Sequence, residues 1–438
     1  MTLNLSQNHS LSLPIEFAQQ CNQLRELRLA NNDYKRVPEA VRHLATLNYL
    51  DLSCNRIAEL DHAQLDQVQP LSRLMLQNNR LVDLPPSFSR FISLTSLHLS
   101  NNRFDHVPRV ICEIRSLTYL DLSFNKISTI PDEIGRLTQL QHLLLVSNRI
   151  SGTLPRTFDQ LVELVELDLR QNSIQDLGVL SNMCKLNMLF LDYNTVSTLT
   201  CEFRLLQRLT LHKNHLTSFK PAAVPTTSLV SLDLSKSKLP QLPDAMFEQL
   251  PMLERLVLDD NKFVSFPASI CTLRYLTLLS CANNLLKSLP VELYQLEYLS
   301  KLVVHGNNLV QLPAEIWYCQ RLSTLNCSSN LLKTFPDPPA PGQKPPPVAP
   351  LPNAIGTAQT LAIGNSSSTS VSSSLSSSST LVTMRQAPLS APPLASALRH
   401  LLLGDNGLTD DVFSPLAHFT ELRTLNLSFN DIYDIPTN

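Results

Sequence analysis

Leucine recurs along this chain in a fixed frame. Leu24, Leu27 and Leu29 are followed by Asn32, Leu47, Leu50 and Leu52 by Asn55, and Leu71, Leu74 and Leu76 by Asn79. The string L-x-x-L-x-L-x-x-N returns at Leu94, Leu97, Leu99, Asn102 and at Leu117, Leu120, Leu122, Asn125. Its closing residue is Asn8, Asn32, Asn55, Asn79, Asn102, Asn125, Asn148, Asn172, Asn194, Asn214, Ser237, Asn261, Asn284, Asn307, Asn330, Asn406 and Asn430, seventeen positions that number the repeats 1 to 17. Up to Asn330 the interval between successive positions stays close to that from Asn79 to Asn102, and it is shortest from Asn194 to Asn214. Self-similarity at such a period marks a repeat architecture, in which no unit can bury its apolar face alone.

Each unit can be read physically. L-x-L alternates with period two, which predicts a short strand with its leucines on one face. Strands of successive units then stack into one parallel sheet; at ~4.8 Å per strand, the seventeen trace an arc of roughly 80 Å. The turn after the strand leaves backbone groups without ladder partners, and a buried orphan is costly. An Asn side chain offers donors and an acceptor to such turns. Ser237 offers less, which predicts a weak point in repeat 11. The second half of most units reads L-P-x-x-I/F-x-x-L, as in Ile130-Pro131 with Ile134 and Leu137, or Leu312-Pro313 with Ile316. Proline fixes φ, and the apolar spacing after it predicts a short helical turn on the outer side. The frame is that of leucine-rich repeats. The expected class is α/β, a leucine-rich-repeat solenoid (horseshoe) with a parallel concave sheet and short helical or irregular convex segments.

Between Asn330 and Asn406 the spacing grows to more than three ordinary periods. The excess holds nine prolines in 336–352, and Ser fills eleven of the fifteen positions 366–380. Such composition buries too little apolar surface to order itself, and long insertions in convex loops are thermodynamically tolerable. The expected organisation is repeats 1–15 over 1–335, a disordered Pro/Ser-rich insertion over 336–396, and truncated repeats 16–17 over 397–438. Repeats 16 and 17 are expected to dock on repeat 15, because Leu398, Leu401 and Leu403 would otherwise stand uncovered. Lys344, Pro347 and Pro350 fit the spacing of a polyproline ligand for an SH3 domain. Neither end carries a polar cap, so the chain is expected to be part of something longer.

Composition narrows the function. Glycine occurs 9 times in 438 residues, and no glycine-built phosphate cradle or nucleophile elbow is present. Lys+Arg is 35 against 37 Asp+Glu, without a basic run, so no nucleic-acid surface is expected. The nine cysteines include no C-x-x-C, and Cys281 and Cys327 fall where the frame places leucine, so they read as core thiols of a reducing compartment. No signal peptide is expected from the first residues, and no 18-residue apolar stretch occurs. The histidines are scattered; His212 and His215 are three apart across a turn, which is not a metal site. No catalytic constellation, metal or cofactor is expected.

What remains is the concave face, built from the non-leucine positions around L-x-L. Outward groups there include Tyr49, Asp51, Arg73, Met75, His98, Tyr119 and Asp121, then His142, Leu144 and Val146, then Met188, Phe190 and Tyr193. Glu166, Asp168, Arg170, Arg208, His212 and Lys213 surround them. An apolar and aromatic group ringed by charge is suited to gripping a protein. The expected partner-binding residues are Arg73, Met75, Tyr119, His142, Leu144, Arg170, Met188, Phe190, Tyr193, Arg208, His212 and Lys213. Repeats 8–10 lose the L-P signature and include the shortest spacing, which should bend the sheet locally.

The L-P-x-x-I-x-x-L consensus resembles the intracellular, Ras-associated class of leucine-rich repeats. Leu24-Arg25-Glu26-Leu27-Arg28-Leu29, Val37-Pro38-Glu39-Ala40-Val41-Arg42-His43 and Leu60-Asp61-His62-Ala63-Gln64-Leu65-Asp66 are similar to the repeat region of fungal adenylate cyclases. So is the tail Leu401-Leu402-Leu403-Gly404-Asp405-Asn406-Gly407-Leu408-Thr409-Asp410-Asp411-Val412-Phe413. The resemblance implies a non-catalytic, Ras-responsive module of cyclic AMP signalling, in the cytoplasm and peripheral at the plasma membrane through its partner. The phosphatase-like and cyclase domains of that family have no counterpart in this sequence. A Ras-like GTPase presents an acidic switch surface, which points to Arg73, Arg170, Arg208 and Lys213 as contacts. The alternative is a free-standing scaffold of the Ras-suppressor type that recruits a phosphatase or kinase.

Overall fold

Each L-x-L string forms a three-residue strand, and seventeen of them build one parallel sheet running from Thr2–Asn4 to Thr424–Asn426. The computed structural model describes residues 1–8, 12–21, 23–200, 203–220, 228–239, 241, 243–347 and 391–436. The register is set by the leucines: Leu27 lies beside Leu50, Leu50 beside Leu74, and Leu74 beside Leu97. All four are fully buried, and one apolar cluster runs from Ala18 to Leu416. A one-residue slip would turn this entire row to solvent, so the pattern fixes the pairing.

The asparagine ladder closes each turn. In repeat 4, Asn79 Nδ2 donates to Leu76 O at 3.1 Å and to Leu52 O of the preceding repeat at 2.9 Å. Its Oδ1 accepts from Ile57 N, also of the preceding repeat, at 3.0 Å. One side chain thus satisfies groups in two turns. The residue just before the ladder position is left-handed in every repeat, from Gln7 (φ 60°) to Phe429 (φ 57°). Only Gly306 (φ 66°) relieves that conformation with glycine. Repeat 11 differs, as its serine suggests. Ser237 and Lys238 both direct their N–H groups to Asn261 Oδ1, at 2.9 and 3.2 Å, and Lys238 takes a second left-handed conformation (φ 62°). The turn reshapes itself so that the Ser237 N–H keeps a partner.

The convex side follows the prolines. Pro108, Pro131, Pro290 and Pro313 stand before five-residue 3₁₀ turns with φ between −57° and −74°. Each turn then buries an aliphatic residue: Ile111, Ile134, Leu293 or Ile316. Short strands also form on this side, in repeats 7 and 8 ahead of the 3₁₀ turns Arg156–Gln160 and Gly178–Asn182. Ser151–Gly152 pairs with Ser173–Ile174, and Thr198–Thr200 pairs with Ser218–Lys220, each as a separate two-stranded ribbon.

The sheet is continuous across the insertion. Strand His400–Leu402 pairs with Thr324–Asn326, placing Leu401 beside Leu325. Asn406 continues the ladder, accepting from Leu332 N at 3.1 Å and donating to Cys327 O at 3.1 Å. The convex side is closed by Trp317, which is fully buried, stacks on Phe419 at 4.9 Å and meets Phe335 edge-on at 5.9 Å. The expected limits of the insertion, 336–396, shift at both ends. Helix Pro393–Ala397 already belongs to the repeat stack, because Leu394 and Ala395 are fully buried. At the other end, residues 336–347 lie against the convex side, where buried or half-buried ring donors reach their carbonyls. The serine tract 366–380 and Pro350 fall outside the described residues.

Candidate protein-binding face

Period two places the two side chains that flank each central leucine on the hollow face, and strand pairing aligns them into rows. One row reads Tyr119, His142, Glu166, Met188, Arg208; the next reads Asp121, Leu144, Asp168, Phe190, Thr210. Repeats 6 to 10 therefore bring most of the expected residues side by side. Arg73 and Met75 lie two strands away from Tyr119, with Ser96 and His98 between them. His98 fills that gap: it stacks on Tyr119 with ring centroids 4.6 Å apart. Tyr119 is 5.9 Å from His142, whose Nδ1 is 2.9 Å from Glu166 Oε2. The expected set omitted His98, though its ring occupies the same row position as Asp121 and Leu144.

Repeats 8 to 10 form a second cluster. The Arg170 guanidinium grips the buried Asp168, with Nε 2.9 Å from Oδ1 and Nη2 2.5 Å from Oδ2, and lies 5.4 Å from the Phe190 ring centroid. Lys213 Nζ lies 4.8 Å from the Tyr193 centroid, and Tyr193 is 5.3 Å from His212. Tyr193 and Lys213 do not sit in the strand rows. Both occupy the left-handed position before the ladder asparagine, which projects them along the rim. Arg73 and Arg208 are exposed, with Arg208 Nη1 4.0 Å from Met188 Sδ. Arg170 therefore offers a cation already matched by Asp168, whereas Arg73, Arg208 and Lys213 present theirs outward.

The carboxylates of this face are tied to the backbone. Asp51, Asp121, Asp168 and Asp233 each accept from the N–H two residues on, at 2.9 to 3.1 Å. Asp192 instead accepts from His212 N in the next repeat at 2.9 Å. They close strand ends and do not converge on a shared point. Among the described residues no group of His, Cys, Asp and Glu is placed to hold a metal ion, and His212 Nδ1 is engaged by Ser235 Oγ at 2.7 Å. The thiols of Cys281 and Cys327 are fully buried, and burial pushes both well above the ordinary range. No described helix is long and apolar enough to cross a membrane.

Burial, aided by Arg73, holds His98 below the ordinary histidine value of 6.5, with Asp121 and Asp51 opposing. Just below 6.5 the unfolded chain therefore binds a proton that the folded face rejects, and stability rises with pH across that window. The His98 contribution is fully present above 6.5 and is lost as pH falls through the folded value. The expected result is that His98→Gln flattens the decline of the urea midpoint between neutral and mildly acidic pH. An unchanged slope, or an imidazole titration by NMR at the ordinary value, would contradict the packing described.

Family models confirm the repeat reading. A model described as "Leucine-rich repeat region" matches residues 86–263, and two described as leucine-rich repeat match 1–57 with 45–104, and 420–434. An adenylate cyclase of Mycosarcoma maydis is 42% identical over 274 residues, covering 61% of this chain and 11% of its own length. An adenylate cyclase of Schizosaccharomyces pombe is 32% identical over 447 residues, covering 100% of this chain and 25% of its own length. The chain thus spans a quarter or less of the cyclases it matches. The solved structure of a leucine-rich-repeat protein of Leptospira interrogans is 30% identical, with a TM-score of 0.59, covering 70% of this chain and 84% of that one. The chain belongs to the leucine-rich-repeat family and is a repeat region homologous to fungal adenylate cyclases.

Proposed function

We propose that the hollow face of repeats 4 to 10 binds a Ras-like small GTPase, as a non-catalytic module of cyclic AMP signalling. The supporting observation is the cluster in repeats 8 to 10: Arg170 over Phe190 and Lys213 over Tyr193 are aromatic–cation pairs accessible on one surface. Such pairs are rigid anchors, and Tyr and Arg are over-represented among residues that dominate binding energy. Arg73, Arg208 and Lys213 supply outward positive charge toward an acidic switch surface, which raises the encounter rate more than the final affinity. Homology to adenylate cyclases supports the pathway. In this reading the chain works in the cytoplasm and reaches the plasma membrane through its partner.

The test is binding of a purified Ras-like GTPase, loaded with a GTP analogue or with GDP, measured by calorimetry. The expected result is preference for the GTP state and at least tenfold weaker binding by Phe190→Ala, which corresponds to about 1.4 kcal/mol. Raising the salt should slow association of the unaltered chain. Equal binding of both nucleotide states, or none, removes the proposal.

A further inference from the structure

We propose that Tyr294 and Tyr318, on the convex side, form a proline-rich-peptide site that is occupied in cis by this chain's own segment 336–347. The segment leaves repeat 15 beside Phe335 and is pinned at once, because Trp317 Nε1 donates to Pro336 O at 2.9 Å. It then reverses through Ala340-Pro341-Gly342-Gln343. Gln343 N donates to Ala340 O at 2.9 Å, Ala340 N donates to Gln343 Oε1 at 3.1 Å, and Gly342 has φ 85°. Proline second and a left-handed glycine third are the requirements of a type II turn. The turn sends the chain back over repeats 14 and 13. There Tyr318 donates its hydroxyl to Gln343 O at 3.2 Å, and Tyr294 donates its hydroxyl to Pro346 O at 2.8 Å. The two rings meet edge-on, 6.2 Å apart.

This is the chemistry by which proline-rich segments are recognised. An extended proline-rich segment makes no internal hydrogen bonds, so its carbonyls are free to accept, and an aromatic surface with hydroxyl donors binds such a preformed segment at low entropic cost. The tether makes even a weak site count. With Pro336 fixed by Trp317, few residues separate anchor and site, and the effective concentration is on the order of millimolar. The same stretch carries Lys344 and Pro347, two of the three residues that fit an SH3 ligand. An SH3 domain reading them needs the backbone that Tyr294 and Tyr318 hold. The convex pair therefore acts as an intramolecular competitor that masks the motif until the strap lifts.

The test uses the full chain and a synthetic peptide of residues 336–347, with binding read by fluorescence anisotropy. In Gly342→Val the left-handed turn is disfavoured, so the strap detaches and the site opens. Peptide binding should rise at least tenfold over the unaltered chain. Adding Tyr294→Phe and Tyr318→Phe, which keep the rings and remove only the hydroxyls, should reverse that gain. In the otherwise unaltered chain the same tyrosine pair should raise hydrogen exchange at Gln343, whose N–H is held by Ala340 O in the turn, with circular dichroism unchanged as a folding control. Equal peptide binding by Gly342→Val and the unaltered chain, or a gain that survives loss of the hydroxyls, would overturn the proposal. The GTPase reading stands or falls separately, since it concerns the opposite face.

Discussion

Replacing Trp317 with Ala is expected to destabilise the end of the solenoid by about 3 to 5 kcal/mol, the usual cost of truncating a large buried aromatic. The residue is fully buried and joins two parts of the stack separated by the insertion. Its ring stacks on Phe419 of repeat 16 and meets Phe335 of repeat 15, and its indole N–H holds Pro336 O. Removal opens a cavity and leaves that carbonyl without its donor. In a quasi-one-dimensional stack the damage should stay near its origin. The Cys327 amide, which donates to Leu402 O across the junction, should lose most of its hydrogen-exchange protection, while the Leu74 region keeps its own. Retained protection at Cys327 would show that the paired strands alone hold repeats 16 and 17.

Asn102→Ala should cost about 3 kcal/mol at the centre of the first half. Asn102 donates to Leu76 O at 3.0 Å and Leu99 O at 3.1 Å, and accepts from Leu81 N at 3.0 Å. The two carbonyls each keep a second donor, from Asn79 and Asn125. The Leu81 N–H loses its ladder acceptor, so that buried donor should carry most of the penalty. Asn102→Asp keeps the acceptor but buries a charge and removes both donations, and should be at least as damaging. Urea denaturation and exchange at Leu81 check this. A loss below about 1 kcal/mol would mean that the turn satisfies itself in another way, as repeat 11 does at Ser237.

Strands, register and ladder were legible because each rests on a short period. L-x-L fixes the buried face, and asparagine at the ninth position fixes the turn. The left-handed residue before each asparagine was not legible, since its occupants include Gln171, Tyr193 and Lys213, and glycine marks it only at Gly306. Their conformation comes from the stacked turn, not from local propensity. The hollow face was legible as rows, because period two places alternate residues on one surface. The stack of His98 on Tyr119 was not legible, because it depends on pairing between strands of successive repeats, which are distant along the chain. Residues 336–347 were read as disordered from bulk composition. The Pro341-Gly342 turn signal was present in the sequence, but its effect depends on tyrosines that belong to repeats 13 and 14.

The left-handed positions along the rim amount to a molecular ruler. Every repeat except that of Gly306 offers one side chain there, at an interval of about one strand separation, ~4.8 Å. Because the backbone conformation is imposed by the turn, substituents can be exchanged without redesigning the units beneath. Cys54 already occupies one such mark, so attaching reporters or ligands at chosen marks would space them along a line in fixed increments.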